Sequence, residues 1–160
     1  DIEKRFNSND TDFSSQWCHV NSGAGGGVAG ADMDSDLAWD ITTGGVTANN
    51  DTIVVAVIDG GFDTTHEDLD FWINRDEIPG NGIDDDANGY IDDINGWNVY
   101  DNNGNITPGG SWDSHATHVA GIIGAKGNNC DGVAGVNMNV KIMGIKGSST
   151  SESELVKSYG

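Results

Sequence analysis

Two hydrophobic stretches stand out from an otherwise polar, glycine-rich chain. Ile53–Ile58 is a continuous apolar run that ends at Asp59-Gly-Gly, and Val140–Ile145 is a second apolar stretch. A β-branched run without a polar face is typical of a strand buried on both sides of a parallel sheet. In such sheets chemistry lies beyond the carboxyl ends of the strands. Asp59 is therefore a candidate functional acid, although it would also serve simply to begin a turn.

Between these stretches, the apolar positions Val119, Ile122 and Ile123 recur with helical spacing. We predict a helix that opens at Asp113 or Ser114 and continues through Ala125, with these three side chains facing the core. Its first turn carries His115, and His118 follows three residues later.

The first fifty residues lack a comparable pattern. Residues 1–50 are predicted to form a loop-rich arm with a permissive small-residue tract at Ser22–Gly30. One short helix is expected near Asp34–Ile41, with Leu37, Ala38 and Ile41 as its inner face. Trp17 and Trp39 are predicted to be packing residues.

Composition adds a strong acidic bias. The 160 residues contain 26 Asp+Glu against 7 Lys+Arg, for a formal net charge of −19, which argues against nucleic acid and anionic membrane surfaces as partners. No apolar run is long enough to span a bilayer. The length suits one domain, but residue 1 is not Met, and Ser151–Glu154 has the spacing of a helix-capping box just before the sequence stops at Gly160. We therefore expect an excised or processed part of a domain.

The segment 71–110 is a long insertion rich in Asp, Asn and Gly. Counted from Asp84, oxygen-bearing side chains fall at alternate positions, with glycine at the sixth and a backbone carbonyl at the seventh. The predicted calcium ligands are Asp84, Asp86, Asn88, Tyr90 and Asp92. Asn95 replaces the closing Glu and no flanking helices are expected, so the loop is not an EF-hand. The alternative is a solvated acidic turn, in which like charges would crowd without a cation.

Two further features leave alternatives open. Cys18 and Cys130 are compatible with one disulfide, in keeping with an oxidising exterior, or with two separate thiols. His115 and His118, with Asp113, have the spacing of a zinc site, but no glutamate lies between the histidines and no distant ligand is evident.

Two segments together resemble the subtilisin-like serine proteases, or subtilases. Val55-Ala-Val-Ile-Asp59-Gly-Gly-Phe-Asp63-Thr-Thr-His66-Glu-Asp68-Leu69 is similar to the family's catalytic-aspartate segment, and His115-Ala-Thr-His-Val-Ala-Gly121 to its catalytic-histidine segment. The resemblance implies a doubly wound, mostly parallel α/β fold that is incomplete here. It also implies a secreted, calcium-stabilised serine endopeptidase acting on protein or peptide substrates, with Asp59 orienting His115, the general base.

This sequence also departs from the subtilase pattern at several positions. Ala116 stands where the family has glycine, and the loop at Gly127–Asp131 is one residue longer, which bears on the calcium that the family binds near Asp68. His118 is expected to be a buried structural residue. The family's Gly-Thr-Ser-Met-Ala segment and its oxyanion asparagine are absent, so the serine is expected on a continuation or second chain, and this chain alone is expected to be inactive. The alternative is a non-catalytic calcium-binding pseudo-protease or interaction module.

Overall fold

A three-stranded parallel sheet forms the centre of the chain. A computed structural model describes residues 6–109 and 114–147, and its strands are β1 (Val54–Asp59), β2 (Gly96–Asn98) and β3 (Lys141–Lys146). β3 lies between the other two, pairing Val54 with Lys141 and Gly96 with Gly144. Two strands thus coincide with the predicted runs to within one residue, and the parallel α/β class is confirmed.

One helix covers this sheet. The helix α2 (His115–Gly124) follows the predicted span, and its fully buried Ala116 and Ala120 pack in a core with Val57 and Ile142. Val119 and Ile123 border the same core as predicted, whereas Ile122 is exposed, contrary to prediction. The small alanines let the helix lie close to the sheet.

The other face of the sheet is open in the described part of the chain. Val57 is buried beneath α2, but Val54 and Ala56, whose side chains point to the opposite face, are exposed. The prediction that β1 is buried on both faces is therefore wrong for these residues, because the only long helix among them lies on one side.

The strand β2 was not predicted and lies within the supposed loop insertion. Gly96 has φ of 131°, and an added Cβ would fall 1.9 Å from the carbonyl oxygen of Gly144. Only glycine permits this close approach between strands. The insertion is therefore attached to the sheet, and the backbone of Phe71 also bridges to Ile142.

A second, smaller core lies in the N-terminal region. Phe13, Trp39, Ala134 and Met138 pack together, with the ring of His19 4.8 Å from that of Trp39. The short helix α1 spans Ser35–Trp39 only. Its predicted inner face is wrong, since Ala38 and Ile41 are exposed and Ser35, Asp36 and Trp39 are buried instead.

The structure also bears on the predictions for the tryptophans, the cysteines and membrane-spanning segments. Trp39 packs as predicted, whereas Trp17 is 67% exposed and does not. Cys18 and Cys130 are separate free thiols. No helix in the described ranges is long and apolar enough to cross a membrane. The capping box at Ser151–Glu154 and the position Asp113 lie outside the described residues.

Candidate active site

Asp59 and His115 meet in a hydrogen-bonded pair. Asp59 ends β1 and His115 begins α2, and the imidazole Nδ1 lies 2.9 and 2.8 Å from the two carboxylate oxygens. The Asp59 side chain is 15% exposed, whereas that of His115 is 73% exposed. The structure thus brings together the two predicted catalytic residues, 56 positions apart in sequence.

The partner of Nδ1 determines the tautomer. A carboxylate can only accept hydrogen bonds, so Nδ1 carries the proton that it donates to Asp59. In the neutral ring the lone pair then belongs to Nε2, which is the basic atom. A fixed acid and an exposed imidazole thus provide an oriented proton acceptor.

The backbone after Asp59 is tightly held. The N–H of Gly60 donates to Oδ1 of Asp59 at 2.6 Å, and the N–H of Phe62 donates to the carbonyl of Ile106 at 2.9 Å. An added Cβ on Gly61 would lie 2.4 Å from Cα of Pro108. Glycine at this position therefore allows two backbone segments to meet beside the carboxylate.

Ala116 and His118, in the first turn of α2, have opposite environments. Ala116 is fully buried in the sheet-facing core, so its methyl points away from the exposed imidazole. His118 is exposed, and the prediction that it is buried is wrong. It lines a cavity of about 730 Å³ along α2 together with Leu69, Thr117 and Ile122.

The acidic insertion gathers a different set of oxygens from the predicted one. Carboxylate oxygens of Glu77, Asp84 and Asp86 all lie within 4.8 Å of one another. Glu77, which sequence reasoning missed, is only 5% exposed, and its Oε1 accepts the backbone N–H groups of Asp85 and Asp86. No other such group of three metal-type ligands occurs in the described residues, and this one contains neither His115 nor His118.

Of the remaining predicted ligands, Asn88 lies beside the acidic group, but the side chain of Asp92 does not. Asn88 lies beside Asp86, donating to its Oδ2 at 3.0 Å. The carboxylate of Asp92 instead accepts the N–H groups of the turn Gly80–Gly82, at 2.7 to 3.2 Å. The Asp92 side chain therefore caps this turn and is not part of the acidic group. For Tyr90, the backbone N–H is bound to the side chain of Asn88.

Two neighbouring carboxyls have pKa values displaced in opposite directions. Burial raises the pKa of Asp93, which is only 8% exposed. A hydrogen bond from the side chain of Asn74 lowers the pKa of Asp86. Asn74 donates to both carboxylates, at 2.9 Å to Asp86 and 2.8 Å to Asp93, and so joins them across the base of the loop.

The loop near Asn128 is held by two buried acids. Asp68 accepts from the side chain of Asn129 at 2.8 Å and from the N–H of Val133 at 3.1 Å. Asp10 accepts the backbone N–H groups of Asn128 and Asn129 at 3.0 and 2.9 Å. Protein N–H groups thus occupy oxygens of both carboxylates at the position that the resemblance associates with calcium.

Comparison with known proteins identifies the family. The model described as "Subtilase family" matches residues 50–158, a range that includes both Asp59 and His115. The chain belongs to the subtilase family. This subtilase is 45% identical over 104 residues to "Subtilisin-like protease 1" of Plasmodium berghei, a match covering 61% of the chain and 16% of that protein.

Other relatives agree. An "Extracellular protease" of Xanthomonas campestris is 35% identical over 150 residues, covering 86% of the subtilase and 22% of the relative. The crystal structure of the Aeromonas sobria serine protease with its chaperone has the same fold, with a TM-score of 0.67 at 24% identity, covering 99% of this chain and 23% of that one. The subtilase therefore spans less than a quarter of these three relatives.

Proposed function

We propose that the chain provides the acid and base of a serine endopeptidase. The observation that carries this proposal is the bond from Nδ1 of His115 to Asp59, which leaves Nε2 as the base. Membership of the subtilase family and the relatives named as proteases support the reaction class.

In this mechanism His115 moves protons at Nε2. It takes the hydroxyl proton of a serine as the oxygen attacks the peptide carbonyl, and it then returns that proton to the leaving amine. The acyl-enzyme is hydrolysed when the same nitrogen deprotonates the attacking water and then returns that proton to the serine oxygen as the acyl–oxygen bond breaks. Asp59 stabilises the imidazolium without itself being protonated. No serine hydroxyl among the described residues is hydrogen-bonded to His115, and we assign the nucleophile and oxyanion asparagine to residues outside the 160.

The surface beside the dyad supports a complementary segment as the partner. The cavity along α2 is lined largely by apolar atoms, including those of Leu69, Ile122 and Val133. Among the described strands, β1 has a neighbour on one side only. Because the subtilase spans less than a quarter of the three relatives compared, the proposed occupant is the remainder of a subtilase catalytic domain.

We further propose that the acidic insertion binds Ca²⁺. Calcium takes oxygen ligands at about 2.3–2.6 Å, so ligands on opposite sides lie about 5 Å apart. The separation of the carboxylate oxygens of Glu77, Asp84 and Asp86 fits this size. A bound cation would offset the repulsion among these carboxylates and fix the insertion on the sheet.

The decisive experiment assembles the chain with a second chain carrying the Gly-Thr-Ser-Met-Ala segment. We expect a fluorophosphonate to label that serine in the complex, and neither chain separately. His115→Ala should abolish labelling, and Asp59→Asn should slow it by about 10⁴ because the wrong tautomer is then favoured. Asp51→Asn, an exposed acid elsewhere, is the matched control. An assembled complex that is not labelled, or labelling that persists in His115→Ala, contradicts the proposal.

The second candidate is a calcium-binding module without catalysis, supported by the acidic group Glu77, Asp84 and Asp86. It predicts calcium binding with no labelling in the assembled complex. For location we propose the extracellular space, on the basis of the Xanthomonas relative's name and the acidic composition.

A further inference from the structure

A side-chain hydroxyl links the loop after Asp59 to the helix that carries His115. The backbone N–H of Asp63 donates to Oγ1 of Thr117 at 3.0 Å. Asp63 follows the acid by four residues, and Thr117 follows the base by two. This bond therefore runs beside the Asp59–His115 pair and joins the same two segments.

Apolar side chains of the buried core also join these segments. Ala116 and Ala120 belong to the same buried core as Val57 and Phe62. Because apolar contacts are not directional, they determine which face of α2 is buried more strongly than they determine the position of α2 along its axis. Ser114, at the N-cap, makes no side-chain bond to the helix. A directional hydrogen bond in the first turn thus fixes the position of α2 along its axis, which the alanine contacts alone leave variable.

The loop at the other end of the bond is already constrained. Phe62 is fully buried and its N–H is bound to Ile106, while the Asp63 carboxylate accepts from the hydroxyl of Thr65 at 2.7 Å. That hydroxyl bond also lowers the pKa of Asp63. The N–H of Asp63 is therefore presented by a fixed turn, and the first turn of α2 is positioned against it.

We propose that Thr117 is a positioning residue for the dyad, holding the first turn of α2 so that Nδ1 of His115 remains on the carboxylate of Asp59. The proposal rests on the proposed function only in calling that pair catalytic. A displacement of about 1 Å at a reacting group can cost about 10²-fold in rate, so a bond of this kind has a measurable effect.

The test compares two substitutions of nearly equal size in the 160-residue chain. Thr117→Val keeps the shape and removes the acceptor, whereas Thr117→Ser keeps the hydroxyl. The readout is the low-field proton NMR signal of His115 Nδ1–H and its exchange with water. We expect exchange about tenfold faster in Thr117→Val and near wild type in Thr117→Ser. Thr42→Val is the control, because its hydroxyl accepts the N–H of Gly44 in a remote turn.

The exchange rates of these variants decide whether Thr117 positions the dyad. Unchanged exchange in Thr117→Val, or an equal increase in Thr117→Val, Thr117→Ser and Thr42→Val, overturns the proposal, since the last would reflect general destabilisation. In the assembled protease, kcat of Thr117→Val should fall about tenfold with KM unchanged. If the wild-type assembly is inactive, the proposed function fails while the NMR result still decides the role of Thr117.

Discussion

Oε2 of Glu77 accepts the backbone N–H of Asp92 at 2.9 Å, and this carboxylate thus joins two residues that are fifteen positions apart. Its Oε1 accepts two further N–H groups, from Asp85 and Asp86. Glu77 is thus the internal support of the acidic insertion as well as a proposed calcium ligand.

Replacing Glu77 by Ala should destabilise the chain even in EDTA. Three N–H groups lose their acceptor, and each group left unsatisfied inside the protein costs about 1–3 kcal/mol, less where water can enter. We expect the free energy of unfolding to fall by about 2–4 kcal/mol in urea titrations. Glu67→Ala, at an exposed acid, should change it by less than about 0.5 kcal/mol. Equal losses in both variants would contradict the supporting role.

Calcium binding should distinguish the acidic group from the linear motif. Asp86→Asn removes a charge from the group and should weaken calcium binding at least about tenfold by calorimetry. Asp92→Asn changes a carboxylate that caps the turn Gly80–Gly82, and should weaken it much less. The reverse order would favour the sequence-predicted ligand set, and equal binding by Asp86→Asn and wild type would remove this site.

Ala116→Gly, which restores the residue typical of the family, should lower stability. The methyl is fully buried, and its loss combines with the poorer helix propensity of glycine for a cost of about 1–2 kcal/mol. Ala38→Gly, at an exposed helical position, measures the propensity contribution separately. Urea unfolding of the two variants checks the difference, and an unchanged midpoint for Ala116→Gly would show that the methyl is not a core contact.

His19 should make the N-terminal core sensitive to acid. Burial lowers its pKa, and Nε2 donates to the carbonyl of Ala134 while Nδ1 accepts from the hydroxyl of Ser35. The unfolded chain therefore binds a proton more readily, so stability present above about pH 6.5 is lost as the pH falls. His19→Gln should flatten the decline of the unfolding free energy between pH 7 and 5. A slope identical to wild type would contradict this.

The sequence predicted those elements whose signal is local. The apolar runs gave β1 and β3, and helical spacing gave α2. The resemblance indicated Asp59 and His115, which the structure joins. The sequence could not predict β2, because Gly96–Asn98 has no strand pattern. This strand pairs with β3 because glycine at position 96 permits a close approach to Gly144.

The sequence analysis missed residues whose environment depends on parts of the chain that are distant in sequence. Glu77 precedes the motif, and its burial arises only when the loop folds back on it. His118 is exposed where α2 borders the cavity, and its sequence position alone does not show that it faces this cavity and not the core. Catalysis by Asp59 and His115, and calcium binding, remain predictions.

The register of the sheet also has a consequence for the order of folding. Val54 pairs with Lys141, 87 positions later, and both the acidic insertion and α2 lie within that crossover. Closing so long a connection is entropically costly, and sheets built from distant pairs form slowly. During synthesis Asp59 and His115 would both leave the ribosome well before β3 could pair with β1. We therefore expect the acid–base pair to form late, and an ion that compacts the insertion would accelerate its formation by shortening the effective crossover.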